Sequence, residues 1–343
     1  RVLRSGNLAQ GPEVAKFEHE FSHRLLDGRP VVAVNSGTSG QHLGLLATGV
    51  GKGDEVIVPS FTFAATPNAV ALTGARPVFC DIDPVTFTLN VEHFETLIGP
   101  KTKGVMPVHL FGQSAEMARI CAIAAKRGIQ VYEDAAQAHG ATENGQRVGT
   151  FGDFAMFSLY PTKNMTSGEG GMVSCASDVI ARNVRLLRNQ GMEQQYHNEV
   201  VGYNNRMTDI HAAIGRVQLT RVEKWTQKRR ANGQYLSRHI ENVQTPTERS
   251  GTEHVYHQYT IRVPEDRDGF ARALREDYGV GCGVYYPLPT HKLPSLKRYA
   301  GDSLPHTDLA AAEVLSLPVH PGLSRRSLDA VIDAVNTLAK AGA

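Results

Sequence analysis

Val31-Val-Ala-Val-Asn-Ser-Gly-Thr-Ser-Gly-Gln-His-Leu-Gly-Leu-Leu46 reads as a strand, a glycine-bearing loop and a helix in immediate succession. The run Val31–Val34 is apolar throughout, and Leu43, Leu45 and Leu46 then follow at helical spacing. The loop Asn35-Ser-Gly-Thr-Ser-Gly40 therefore opens a helix, where free backbone N–H groups and the positive end of the dipole suit an anion. Gly37 lets the backbone come close, and Thr38 and Ser39 offer hydroxyl donors. The same loop also serves as a serine-capped helix start with no ligand.

Outward from this unit, short β-branched runs alternate with helical patterns. Strands are predicted at 31–34, 55–58, 77–80, 104–108, 129–132, 153–158 and 171–175, with crossover helices between several of them. That alternation predicts an α/β protein, a three-layer α/β/α arrangement on a mostly parallel sheet, with ligands at the carboxyl ends of strands. Residues 206–235 read as one long helix with Ile210, Ala213, Ile214, Val217 and Val222 on one stripe. The segment 241–253, rich in Thr, Glu and Gly, then crosses into a smaller C-terminal α+β domain. Its predicted strands are 256–263 and 281–286, flanked by helices near 269–277 and 327–339. At 343 residues the chain is long enough for two domains, 1–238 and 239–343. No internal repeat or low-complexity segment is present.

Two residues bring chemistry to this frame. Lys163 lies in Phe157-Ser-Leu-Tyr-Pro-Thr-Lys-Asn-Met-Thr-Ser-Gly-Glu-Gly-Gly171, and Asp134, twenty-nine residues upstream, ends an apolar strand-like run. A lysine amine can form a Schiff base with the aldehyde of pyridoxal phosphate, and a carboxylate beside the pyridine nitrogen keeps it protonated, so the ring accepts electrons. Taken singly, a lysine after a Pro-Thr turn is ordinarily solvated, and an Asp at a strand end is ordinarily a cap.

Eight blocks in order carry a resemblance along nearly the whole chain. They are Ser5-Gly-Asn-Leu-Ala-Gln-Gly-Pro12, Ser36-Gly-Thr-Ser39, Asp54-Glu-Val-Ile-Val-Pro-Ser-Phe-Thr-Phe-Ala-Ala-Thr66, Pro77-Val-Phe-Cys-Asp-Ile-Asp83, Pro107-Val-His-Leu-Phe-Gly112, Glu133-Asp-Ala-Ala-Gln-Ala-His-Gly140, the Lys163 segment and Gly202-Tyr-Asn-Asn-Arg-Met-Thr208. The chain resembles the DegT/DnrJ nucleotide-sugar aminotransferases, pyridoxal phosphate enzymes of fold type I.

The resemblance implies that Lys163 carries the cofactor as a Schiff base and then moves a proton between substrate carbon and cofactor carbon, while Asp134 holds the pyridinium proton. It implies that Gln137 donates to the phenolic oxygen of the ring and that Phe63 stacks on its face. Gly37, Thr38, Ser39 and Ser158 would hold the phosphate. Asn204 would reach the phosphate from the neighbouring subunit of a homodimer, so that the active sites are shared. Asn205 departs from the aromatic residue commoner at its position. His139 reads as a packing residue. For substrate, Arg206, Lys292 and Arg325 are candidates for a diphosphate, and Tyr285, Tyr286 and His320 lie in the C-terminal motifs Gly283-Val-Tyr-Tyr-Pro287 and Leu317-Pro-Val-His-Pro321.

The implied reaction moves an amino group from an amino acid, glutamate by resemblance, to a keto-sugar carried on a nucleotide diphosphate, alternating the pyridoxal and pyridoxamine forms of the cofactor. Two alternatives remain open: a keto-cyclitol acceptor of aminoglycoside-type biosynthesis, and a non-catalytic sensor on the same fold. Relatives that dehydrate sugars carry histidine in place of the lysine, which Lys163 argues against.

Composition narrows the remaining classes. A formal charge of +2 gives no bulk attraction to nucleic acid or to an anionic membrane. No apolar run approaches the roughly 20 residues that cross a bilayer, and no signal-like segment opens the chain, so a cytoplasmic protein is expected. Cys80, Cys121, Cys175 and Cys282 form no Cys-x-x-Cys pair, which fits a reducing compartment. His19-Glu-Phe-Ser-His23 matches a zinc-protease pattern, but it lies on an amphipathic N-terminal helix and no metal is expected. Gly49-Val-Gly-Lys-Gly53 lacks the first glycine and the hydroxyl residue of a phosphate loop and reads as a helix end and turn. Lys228-Arg-Arg230 reads as a solvated basic face.

Overall fold

The computed structural model describes residues 1–341. Seven strands form one sheet: β1 (Val31–Val34), β2 (Glu55–Pro59), β3 (Arg76–Cys80), β4 (Thr102–Val105), β5 (Gln130–Asp134), β6 (Phe154–Ser158) and β7 (Gly171–Cys175). Their order is β1-β7-β6-β5-β4-β2-β3, and β7 alone runs against its neighbours. The reason this sheet needs helices on both faces is visible in β1. Val31 and Ala33 enter one apolar cluster while Val32 and Val34 enter another, so a strand of period two is buried on both sides. Helix α1 (Pro12–Leu25) gives Phe17 and Phe21 to the first cluster, and α2 (Gly37–Ala47) gives Leu43 and Leu45 to the second. Close packing of α2 on β6 requires Gly44: a Cβ there would stand 2.5 Å from the ring of Phe154.

The strand expectations hold closely over the sheet, and the 104–108 strand ends early only by hydrogen-bond pattern, since Val108 still bridges to Asp134. The long helix expected over 206–235 is two helices, α3 (Asp209–Leu219) and α4 (Val222–His239). Between them Thr220 donates its hydroxyl back to the Val217 carbonyl, the local bond by which threonine competes with helix propagation. The stripe also divides. Val222 is buried, but Ile210, Ile214 and Val217 are 37%, 42% and 54% exposed.

In the C-terminal part, β8 (Tyr259–Arg262) pairs antiparallel with β9 (Val314–Leu317). Helices α5 (Arg267–Glu276) and α6 (Arg325–Ala341) lie with them, and Tyr259, Ile261, Leu274, Leu315 and Val335 share one cluster. The strand expected at 281–286 is absent: Gly283 makes one isolated bridge to Ser316 of β9, which takes the place beside β8. A stretch with glycine at 281 and 283 has few side chains to pack, whereas Val314-Leu-Ser-Leu317 is buried at every position.

His19 and His23 stack on one another at 4.1 Å between centroids, while Glu20 hydrogen-bonds Arg216. No group of metal-ligating residues of three or more occurs among the described residues. No helix among them is long and apolar enough to cross a membrane. Gly49 and Gly53 have φ of 80° and 103°, the left-handed turn that follows α2. The four cysteines are free.

The N-terminus of α1 starts at Gly11, which has no capping side chain, and a remote residue takes over the role. Asp209, buried at the start of α3, accepts the N–H groups of Gly11 at 2.8 Å, Val14 at 3.1 Å and Glu13 at 3.3 Å. Asp209→Ala leaves those donors unpaired in a buried place and is expected to cost about 1–3 kcal/mol. The check is the thermal midpoint, which should fall by several degrees; an unchanged midpoint would mean that water replaces the carboxylate.

Candidate active site

The carboxyl ends of β1, β5 and β6 and the amino end of β7 come to one edge, because Gly171 pairs with both Val34 and Ser158. Above that edge lies a cavity of about 900 Å³. Ser36, Gly37 and Thr38 at the start of α2, Asp134 and Gln137 after β5, Ser158 at the end of β6, and Lys163 line it on the sheet side. Tyr285, Tyr286, His257 and His320 close it from the C-terminal part.

Asp134 is buried and accepts from three separate elements. Its Oδ2 takes hydrogen bonds from Gln41 Nε2 at 2.5 Å and Thr66 Oγ1 at 2.7 Å, and its Oδ1 takes one from the Ala136 N–H at 3.1 Å. The second lone pair of Oδ1 remains for a donor in the cavity. Gln137 is oriented by accepting the Phe111 N–H at Oε1, 2.6 Å, so that its Nε2 faces the cavity and donates to the Tyr286 hydroxyl at 3.1 Å. Phe63 is 60% exposed and tilts toward Tyr286, their centroids 5.9 Å apart, which leaves a free apolar face.

Lys163 sits on a loop that is pinned at its base. The Leu159 N–H bonds the Gly170 carbonyl at 2.9 Å, the Ser167 N–H bonds the Leu159 carbonyl at 3.0 Å, and the Lys163 N–H closes a turn onto Tyr160. Burial lowers the pKa of its amine from the ordinary lysine value, and the charge of Asp134 opposes that shift only in part. An amine moved toward its neutral form is a better nucleophile and base at neutral pH.

At the mouth of α2, Ser36 caps the helix by accepting the Ser39 N–H at 3.1 Å, and the two hydroxyls meet at 2.9 Å. Ser39 is thereby turned into the cap and does not line the cavity, whereas Thr38 does. A Cβ at Gly37 would lie 3.0 Å from Met156 Sδ and 3.1 Å from Ser158 Cβ, so any larger residue between the helix start and β6 requires those side chains to give by a few tenths of an ångström.

Asn204 and Arg206 lie outside the cavity of their own chain: Asn204 bridges to Asn189, and Arg206 Nη1 donates to the Asn189 side chain at 3.1 Å. Lys292 pairs with Asp308 at 2.7 Å, and Arg325 lies over the ring of Tyr235, both away from it. His139 is fully buried between Phe21 and Phe157, and burial together with the charge of Lys163 brings its pKa down to about 3.

Sequence reasoning missed Gln41, Thr66, His257 and Arg229. Gln41 is a polar residue four positions before buried Leu45 on an otherwise apolar helix side, a signal that could have been read. Arg229 corrects the reading of Lys228-Arg-Arg230 as a solvated face, because it is only 8% exposed and lines the cavity. Its spacing from Val222, Gly233 and Leu236 places it on the buried stripe of α4.

This donor set fits pyridoxal phosphate: a glycine cradle at a helix start for a phosphate, a carboxylate with a free lone pair for a ring N–H, an exposed phenyl face and a buried amine. Fold and site together define an aminotransferase of the pyridoxal-phosphate-dependent class. The family model described as "DegT/DnrJ/EryC1/StrS aminotransferase family" matches residues 1–336, and the chain belongs to that family. It is 41% identical to a "Pleiotropic regulatory protein" of Geobacillus stearothermophilus over 97% of this chain and 91% of that one. It is 40% identical to "GDP-perosamine synthase" of Caulobacter vibrioides over 94% and 90%. The structure of DesV from S. venezuelae with a ketimine intermediate superposes with a TM-score of 0.95 at 38% identity, covering 99% of this chain and 92% of that one. Solved neighbours also include forms holding pyridoxamine phosphate.

Gln41→Leu removes one of the two side-chain donors that orient Asp134. Loss of one hydrogen bond to a charged group is worth about 1.5–3 kcal/mol, so cofactor retention should fall by roughly tenfold or more. Equilibrium dialysis followed by absorbance measures this, and retention equal to that of the wild type would show that Thr66 alone suffices.

Proposed function

We propose that this aminotransferase moves an amino group from L-glutamate to a keto-sugar linked to a nucleotide diphosphate. Several relatives carry names of such enzymes, among them a UDP-N-acetyl-3-dehydro-glucosamine aminotransferase, GDP-perosamine synthase and a dTDP-amino-trideoxyglucose transaminase. The observation that carries the reading is one cavity in which a buried amine, Lys163, meets Asp134 and Gln137. A sensor without catalysis would have no need of all three, although some relatives are named for regulation or sensory transduction. A keto-cyclitol acceptor is the remaining alternative, and a panel of acceptors decides it.

When bound, pyridoxal phosphate supplies an aldehyde for amine exchange and a ring that takes up electron density. The chain supplies the rest. Lys163 would hold the aldehyde and would carry the proton on the substrate carbon, in opposite directions in the two half-reactions. Asp134 would keep the ring nitrogen protonated, and Gln137 Nε2 would donate to the phenolic oxygen. Phe63 would cover one ring face and so would leave proton transfer to the side of Lys163. Gly37, Thr38, Ser39 and Ser158 hold the phosphate, with Ser39 acting through the cap it forms with Ser36. Tyr285, Tyr286 and His320 face the acceptor. Residues 1–238 form the cofactor-binding unit, and 239–343 the unit that closes on it. A cytoplasmic location, in keeping with four free cysteines, belongs to this reading.

The site is completed by a second copy of the chain. Ile210, Ile214 and Val217 form an exposed apolar stripe on α3, and Val201, 92% exposed, lies three residues before Asn204. Such a surface suits an isologous contact that carries Asn204 and Arg206 into the partner's cavity.

Two measurements test these readings. Purified protein loaded with the cofactor should lose its visible aldehyde-form absorbance on addition of glutamate, and Lys163→Ala should fail to give the wild-type spectrum at all; a wild-type spectrum indifferent to glutamate removes this donor. Co-expressed Lys163→Ala and Asn204→Ala chains should regain activity that neither variant shows alone, up to about a quarter of wild type for random pairing of a two-fold dimer. No recovery would place Asn204 in its own chain's site or outside both.

A further inference from the structure

Among the described residues four arginines are buried: Arg188, Arg229, Arg262 and Arg267. Three of them face a carboxylate, Arg188 with Glu18 at 2.6 Å, Arg262 with Glu313 at 3.4 Å and Arg267 with Asp268 at 2.6 Å. Arg229 faces none. Its Nη1 donates to the carbonyls of Tyr256 at 3.1 Å and His257 at 3.4 Å, and its Nε has no partner. Burial lowers its pKa to about 10, so the guanidinium stays charged at neutral pH.

A charge held out of water without a counter-ion is costly, and proteins ordinarily pair it. The surroundings of Arg229 hold it in place nonetheless. Gly233, one turn further along α4, leaves room for the ring of Tyr256, to which a Cβ would come within 2.8 Å. The carbonyls of Tyr256 and His257 then fix Nη1 and leave the other two guanidinium nitrogens, Nε and Nη2, without a protein hydrogen-bond partner in a residue that lines the cavity. Across His257 stands Lys163: burial, and then the charges of Lys163 and Arg229, keep the His257 ring neutral. Two cations thus bear on one imidazole at the edge of an open cavity, and Asn232, also on α4, holds the His320 carbonyl at 3.1 Å on the same wall.

We propose that Arg229 is an anion-binding residue of this cavity and that its counter-ion is an oxyanion of the substrate, either the carboxylate of the amino donor or a diphosphate oxygen of the acceptor. The inference rests on the function proposed above, in which both substrates are anionic. It assigns to the chain's own α4 a role that Arg206, Lys292 and Arg325 do not fill within the cavity of a single chain.

The test uses the full-length protein loaded with cofactor, as wild type, Arg229→Gln and Arg229→Lys. The Gln variant keeps an N–H donor for the two carbonyls and removes the charge. Calorimetric titration with dTDP reports the diphosphate arm, and a spectral titration with L-glutamate reports the carboxylate arm. Thermal midpoint and cofactor retention report whether the variants are folded. Arg229→Gln should weaken one of the two ligands by about thirtyfold or more with the midpoint and the cofactor retained, as expected for loss of a buried charge partner. Arg229→Lys should weaken the same ligand by a smaller factor, because an ammonium keeps the charge but not the planar fork. The affected arm identifies the oxyanion.

Parity with wild type for both ligands in a folded Gln variant overturns the proposal. If that variant does not fold, parity of the Lys variant for both ligands overturns it instead. A wild-type protein that binds neither ligand overturns it too. Bleaching by glutamate that is unaltered in Arg229→Gln, together with unaltered dTDP binding, sinks this inference and leaves the transaminase reading standing. A wild type that glutamate does not bleach sinks the donor assignment, and the dTDP arm then decides Arg229.

Discussion

The carboxylate of Asp134 is the constraint from which the site is built. A carboxylate buried at the end of a central strand accepts hydrogen bonds and donates none, so it is tolerable only where donors converge on it. Here they come from α2 through Gln41, from the helix Ala65–Leu72 through Thr66, and from the backbone just after β5. Gln41 and Thr66 lie 93 and 68 residues from Asp134 in sequence. Those bonds tie α2 and the helix that follows Phe63 to the same oxygen, Oδ2. Small shifts of either helix would therefore be felt at the Asp134 carboxylate, and the cavity floor is a single connected network rather than a set of independent side chains.

The sheet makes that convergence possible. β5 lies between β6 and β4, with the β1 edge and its glycine loop reached through β7. The antiparallel insertion of β7 has a local consequence, because a strand running the other way starts where its neighbours end. Gly171 therefore stands beside Val34 and Ser158, and the loop that precedes it, carrying Lys163, hangs directly over the cavity. Its base is closed by two backbone hydrogen bonds between Leu159 and the 167–170 segment. The backbone of Lys163 is thus held by its turn onto Tyr160 while the residue lines the cavity, an arrangement compatible with the role proposed for it.

The legible parts of this structure are those in which one period governs a run of residues. Val31–Val34 and Gly171–Cys175 could be read to the residue, since every side chain in them is apolar or small and buried on one of two faces. The break at Thr220 was not legible, because 206–235 is helical on both sides of it and the interruption rests on one hydroxyl-to-carbonyl bond. β9 was hidden for a related reason: Val314-Leu-Ser-Leu317 is four residues long and follows a helix directly, where an apolar run fits either state. Cationic residues were the least legible. Lys228-Arg-Arg230 holds three adjacent cations of which the helical period turns one, Arg229, inward, and only the position of Val222 and Leu236 on the same stripe marks which one.

A resemblance and a single fold answer different questions about a site. The resemblance gives Asn204 to the neighbouring subunit's phosphate and Arg206 to the substrate's diphosphate, and the fold places both outside the cavity of the chain that carries them. The two statements are compatible if the cavity belongs to an assembly. Val201 and Tyr203 in the segment 200–206 are exposed, as is the apolar side of α3. Those side chains gain nothing from facing water, and burying them would remove the mismatch between an amphipathic helix and its solvated apolar stripe. α3 thus has two faces: Ala212, Gly215 and Leu219 are buried in the chain's own core, and Ile210, Ile214 and Val217 form the apolar face left exposed. The single stripe read from the sequence, Ile210, Ala213, Ile214, Val217 and Val222, is therefore divided between an exposed side of α3 and the buried start of α4, because a helical period marks an apolar side without saying what covers it.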